Sequence, residues 1–187
     1  FIDEIDAVGH RVVHGGEAFA TSTIITDEMI ETCEKYTKLA PLHNPANIAC
    51  IKAAQEAFAG KPMVAVFDTA FHQTMEATNY LYPVPYEWYK NYGVRKYGFH
   101  GTSHKFINRE ITRHFNNENL KVISCHIGSG ASVCAINAGK VVDTSMGFSP
   151  MTGIMMGTRP EDVDPSIVTF VAEEANMSID EVMTMLN

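Results

Sequence analysis

The stretch "KVISCHIGSGASVCAINAGKVVDTS", Lys121 to Ser145, constrains the fold more than any other part of the chain. Three short runs rich in β-branched residues are separated by Gly-containing turns, which is the pattern of consecutive strands. Helical patterns surround them. In "TDEMIETCEKYTKLA" the residues Ile30, Cys33, Thr37 and Ala40 share one face and Pro41 stops the helix. "NPAN" opens a second helix, with Asn44 as the expected cap and Pro45 at the first helical position. Its apolar face runs through Ile48 and Ile51 to Phe58, and Gly60 closes it. A third helix is expected from about Ser103 to Phe115, capped by Thr102 or Ser103. Asp164-Pro165 starts another, and Ser178-Ile-Asp-Glu181 is a capping box for the last. "DAVGHRVVHGG" and "MVAVFDTAF" read as strands, the second buried and ending at Asp68. The segment from Tyr80 to Tyr97 reads as an aromatic loop. The class is α/β, with a boundary near Asp68–Phe71.

Bulk properties exclude several functions. A hydrophobic fraction of 45% against 19% charged residues is that of a globular chain, not a disordered one. The net charge of −8, without a lysine or arginine run, argues against nucleic-acid or anionic-membrane partners. An anionic substrate must therefore be gripped by a few placed arginines. No apolar run approaches the roughly 20 residues that span a bilayer. The cysteines Cys33, Cys50, Cys125 and Cys134 show no metal spacing and are expected to be buried, reduced thiols, which suggests the cytoplasm. The sequence begins at Phe1 within an acidic, apolar stretch, and a fragment of a longer protein is expected.

Several residues could carry chemistry. In the strand "GHRVVHGGE", Arg11 and Val13 face one way and His10, Val12 and His14 the other. A guanidinium beside a small apolar side chain suits a small carboxylate. His10 and His14 lie four apart, but on a strand and with no third ligand in sight, so a metal pair is set aside. Asp68, ending a buried strand, is either a site residue or a cap, and His43 in "PLHNP" is similarly ambiguous. "YGFHGTSH" holds His100 at a helix entrance, where free backbone N–H groups favour anions. Its second histidine, His104, lacks the glutamate of a zinc-hydrolase motif. Gly128-Ser129-Gly130 is a hairpin that can wrap a phosphate, although it is neither a Walker loop nor a dinucleotide fingerprint. Arg159, in a methionine- and glycine-rich loop, is a second candidate anion clamp. Two arginines, a carboxylate, an imidazole and a phosphate-sized turn together suit phosphoryl transfer to a small anion.

The motifs "GHRVVHGGE", "PLHNPAN", "FDTAFH", "YGFHGTSH", "CHIGSGAS", "DTSMGFSPMTGIMMGTR" and "DVDPS", in this order and over almost the whole chain, resemble the acetate kinase family. That family belongs to the superfamily of actin, heat-shock chaperones and sugar kinases. The resemblance implies an actin-like (ribonuclease H-like) two-domain ATPase fold, incomplete in both domains here. Residues 1–69 would be part of the first domain and 70–187 the front of the second. It implies that Arg11 and Arg159 grip the acetate carboxylate and the transferred phosphoryl group, and that His100 donates to phosphoryl oxygens. Asp68 would be the essential acid, orienting Arg11. Val13, Leu42, His43, Phe99 and Pro150 would line the acetate pocket, and His126, Ile127, Gly128, Ser129 and Gly130 the nucleotide phosphates.

The implied reaction is acetate plus ATP giving acetyl phosphate and ADP, reversibly, with Mg2+ or Mn2+ and in a homodimer. No metal ligand is expected in this chain, because the family's metal-contacting residues have no counterpart here. Alone, 187 residues would be expected to turn over little. Two positions depart from the family pattern: Ser129 stands where many members have Asn, and Pro160-Glu161 where a small residue and Gly are usual. A propionate or butyrate kinase is the near alternative, and a non-catalytic actin-like nucleotide-binding protein the distant one.

Overall fold

The computed structural model describes residues 2–187. Two three-stranded sheets organise it. In the first, β1 (Val8–Val12) pairs in parallel with β3 (Met63–Phe67), whose other side takes the short antiparallel β2 (Thr23–Ile24). A parallel pair needs a crossover, and α1 (Asp27–Lys35) with α2 (Asn44–Ala57) supplies it. Val12, Met29, Ile30, Cys33, Ile48, Ile51, Ala65 and Phe67 form the core beneath them. In the second sheet, β4 (Lys121–Ile127), β5 (Ala131–Asn137) and β6 (Lys140–Thr144) run antiparallel in sequence order, as the glycine turns require. A second core joins Met75, Val122, Cys134, Ile136 and Val141. The helix α5 (Gly101–Phe115) packs against β4, and it also meets β3 and the 3-10 turn Ala70–Thr74, so it touches both sheets.

Several expectations change. The first helix ends at Lys35 and continues only as a 3-10 turn, Thr37–Leu39. At its start the Thr26 side chain accepts from Met29 N–H. Asn44 does not cap α2: its side chain is fully buried and turned to the first sheet, and His43 occupies the cap position without a side-chain bond. Neither Thr102 nor Ser103 caps α5; the chain enters it through His100 in the left-handed region, φ 59°. The aromatic segment before it follows α3 (Ala77–Tyr80) and contains α4 (Tyr86–Tyr92), and neither helix carries a clean apolar period. Within it, Arg95 is buried over the Tyr80 ring and paired with Glu17. Cys50 and Cys125 are exposed, against expectation, because they fall on the outward sides of α2 and β4. Downstream, Asp164 accepts from Ser166 N–H at the start of α6 (Ser166–Glu174), and the Ser178–Glu181 box opens α7 (Ile179–Met185). Among the described residues no helix is long and apolar enough to cross a membrane.

Candidate functional site

The end of β3 and the entrance of α5 meet at one carboxylate. Asp68 is 2% exposed, and its backbone N–H continues the sheet by donating to Val12 O. Its Oδ2 accepts from Arg11 Nη2 at 2.9 Å and from the His100 backbone N–H at 2.9 Å. Its carbonyl accepts from Gly101 N–H at 2.8 Å. Glycine is needed at 101 because a Cβ there would sit 2.3 Å from that carbonyl oxygen. The left-handed turn at His100 thus follows from docking the helix start onto Asp68. Arg11, with a side chain 60% exposed, presents its guanidinium to solvent while Asp68 aims it.

Across from Asp68 lies the turn between β4 and β5. Gly128 N–H donates to Gly130 O, closing the hairpin, while Ile127 and Ser129 are exposed. A Cβ on Gly130 would stand 3.2 Å from His100 Nε2 and 3.6 Å from Arg159 Nη1. The glycine hairpin, the imidazole and the second arginine, 59 residues beyond that imidazole in sequence, therefore converge on one spot. Arg159 donates through Nη1 to Pro150 O at 2.9 Å, and Met156 N–H to Arg159 O closes the loop that carries it. Pro160 leads into Glu161 with φ 79°, a left-handed backbone that glycine adopts more readily than glutamate. His126 stacks on His100 at 3.9 Å between ring centroids, and its Nδ1 meets Ser103 Oγ.

Burial, then the neighbouring His126 ring, push the His100 pKa down to about 4; Asp68 opposes them, while Arg11 and Arg159 add to the lowering. His100 is accordingly a neutral imidazole at pH 7. An apolar cluster of Val13, Ala40, Phe99 and Met146, with Met156 against it, walls one side. Leu42, at 76% exposure, and His43 lie at the open surface rather than in this cluster.

Sequence reasoning missed the supports. Asn44 accepts from His14 N–H and donates to His14 O, and Asn47 accepts from Val13 N–H, so α2 fixes the strand end that carries Arg11 and Val13. His104, Ser124 and Ser132 sit behind His100. The four-residue interval between His100 and His104 and the alternation along β4 and β5 were the available signals. Among the described residues no three His, Cys, Asp or Glu side chains converge, and Asp68 Oδ2 is engaged by Arg11 and the His100 backbone.

The α/β scaffold thus gathers two guanidinium groups, a neutral imidazole and a bare-backbone hairpin, groups suited to holding an anion. The chain belongs to the acetokinase family, whose sequence model matches residues 2–187. It is 56% identical to the acetate kinase of Desulfitobacterium hafniense (strain DSM 10664 / DCB-2), over 100% of this chain and 47% of that protein. Among solved structures it superposes on a propionate kinase from Francisella tularensis with a TM-score of 0.96 at 44% identity, covering 100% of this chain and 48% of that one. The acetate kinase of Porphyromonas gingivalis gives 0.94 at 45% identity, covering 99% and 47%. The fold is therefore that of acetate and propionate kinases, and the chain spans about half the length of the curated relatives it matches.

Proposed function

We propose that the protein bearing this chain is an acetate kinase, transferring the ATP γ-phosphoryl group to acetate to give acetyl phosphate and ADP by direct in-line displacement. The observation that carries this reading is the convergence of Gly130, His100 Nε2 and Arg159 Nη1 beside the Asp68–Arg11 pair. A carboxylate held by Arg11, with its methyl group toward Val13 and Phe99, would direct one oxygen at the γ-phosphorus. Leu42, His43 and Pro150 would complete the rim of that pocket. As the bond to the ADP oxygen breaks, negative charge on the transferred group would be met by Arg159 and by the His100 N–H. The hairpin from His126 to Gly130 would hold the nucleotide phosphates, which bring their Mg2+ or Mn2+ with them. Asp68 serves this scheme by orienting Arg11 and the His100 backbone.

In the same reading, residues 1–69 belong to a first actin-like domain and 70–187 to the front of a second, in a cytoplasmic homodimer. The likeness to a propionate kinase favours a second reading, a propionate or butyrate kinase using the same groups. One methylene in such a pocket changes selectivity by only about 1–3 kcal/mol. Hydroxylamine trapping of acyl phosphate by the full-length protein, offered acetate, propionate and butyrate with magnesium ATP, tests both readings. A signal greatest with acetate is expected. A signal greatest with a longer acid moves the assignment to that acid, and none with any acid rejects acyl kinase activity.

A further inference from the structure

Behind His100 runs a line of buried hydroxyl and imidazole groups. Ser124 on β4 is 2% exposed, and Ser132 on β5 and His104 on α5 are fully buried. Ser124 Oγ lies 2.9 Å from His104 Nδ1, His104 Nε2 lies 2.8 Å from Ser132 Oγ, and Ser132 Oγ lies 2.9 Å from His100 Nδ1. His100 Nε2, at the outer end, faces Gly130 and Arg159.

Geometry alone lets every link run either way, and the inner end decides. Among the described residues the Ser124 hydroxyl has no hydrogen-bond partner other than His104 Nδ1. If His104 Nδ1 were the donor, the Ser124 hydrogen would be buried without an acceptor, the costly case for a polar group. The Ser124 hydroxyl therefore donates to His104 Nδ1. Both imidazoles are neutral at pH 7, since burial is the largest cause lowering each to about 4. A neutral His104 that accepts at Nδ1 carries its hydrogen on Nε2 and donates it to Ser132 Oγ. The Ser132 hydroxyl is then free to donate to His100 Nδ1.

We infer that Ser124, His104 and Ser132 are positioning residues, a one-directional donor chain that fixes His100 as the Nε2–H tautomer, a hydrogen-bond donor already aimed at an anion between Gly130 and Arg159. The inference rests on the phosphoryl-transfer reading for its consequence, although not for its geometry. Aligned donors polarise one another, and a donor set before the reaction needs no reorganisation when charge develops on the phosphoryl group.

The test uses the full-length protein labelled with 15N-histidine. Two-bond nitrogen–proton spectra at neutral pH report each tautomer, with His100 assigned by the signals lost in His100→Gln. His100 and His104 are both expected as Nε2–H. Ser132→Ala and His104→Leu are expected to give His100 mixed tautomers and to lower kcat roughly 10- to 100-fold, the scale seen for groups that orient a functional imidazole. The KM for acetate and for ATP should move little, because the chain touches neither. His104→Gln, whose side-chain amide can still donate to Ser132, should hold kcat nearer wild type than His104→Leu does. A wild-type His100 protonated at Nδ1, or a Ser132→Ala protein with unchanged tautomer and kcat, overturns the inference; the wild-type spectrum decides even if a variant fails to fold. If the wild-type tautomer is as expected but the full-length protein forms no acyl phosphate from any acid, the phosphoryl-transfer reading fails and the donor chain stands.

Discussion

Asp68 shows how little of a residue's role is local. It is a strand-terminal carboxylate of the kind that often only caps a turn, yet its Oδ2 holds both Arg11 and the His100 amide while its carbonyl seats Gly101. Burial makes these bonds count: the carboxylate side chain is 3% exposed although its guanidinium partner is largely solvated. Arg159 differs, since Nη1 is bound only to Pro150 O and, more distantly, to Met156 Sδ, both uncharged. Among the described residues no carboxylate pairs with it, which is what the proposed contact with a phosphoryl group requires. In the full-length protein, Arg159→Ala should lower kcat roughly 10²- to 10³-fold, the usual scale for removing a charge-stabilising donor, with a much smaller rise in the acetate KM. Steady-state kinetics check this; a raised KM with unchanged kcat would place Arg159 in ground-state binding instead.

At the scale of elements, the site depends on how α2 and α5 are tied to the strands. Asn44 reads as a helix cap because Asn-Pro is a common helix opening, but its amide forms a reciprocal pair with the His14 backbone. That pair ties down the backbone at His14, just beyond the strand end that carries Arg11 and Val13. Removing it leaves a buried N–H and C=O unpaired, so Asn44→Ala should cost about 2–4 kcal/mol of stability. Urea unfolding compared with the parent protein measures this, and a loss confined to a few tenths would mean the strand end is held by other contacts. Both α5 and the capping box of α7 were readable from sequence, since apolar spacing and Ser-x-x-Glu act within a few residues. The α4 helix was not, because Tyr86, Trp88 and Tyr92 are exposed and give no buried stripe.

For the molecule as a whole, burial favours the neutral form of four histidines, His14, His72, His100 and His104. Burial pushes His14 down to about 4, with the Arg95 charge adding to it, and lowers His100 and His104 to about 4 as well. The unfolded chain takes up these protons near the ordinary value of 6.5, the folded one only near 4. Between those values the unfolded state binds more protons, so stability is greatest above pH 6.5 and falls as the pH drops toward 4. Each independent histidine contributes a slope of about 1.4 kcal/mol per pH unit in that window. His100 and His104 share a hydroxyl and do not add independently, whereas His14 is separate. His14→Phe should therefore reduce the slope by close to one proton, read from urea unfolding at pH 7 and pH 5. An unchanged slope would mean that His14 is protonated equally in both states.

Short-range signals made the α/β class, the strands around Gly128-Ser129-Gly130 and the helix over residues 103–115 legible from sequence, and they singled out Arg11, Asp68, His100 and Arg159 as candidates. Turn chemistry, capping and periodicity are properties of neighbouring residues, and the motif order carried the family. The tertiary structure alone decided which groups meet. It turned Asn44 inward, left Cys50 and Cys125 exposed, and placed His104, Ser124 and Ser132 in line behind His100. Partners 20 or more residues apart are chosen by how strands register and helices dock, and no local pattern encodes that choice. Apart from Asp68, the buried polar groups named here were thus the least legible, because burial obliges each to find a partner wherever the fold brings one.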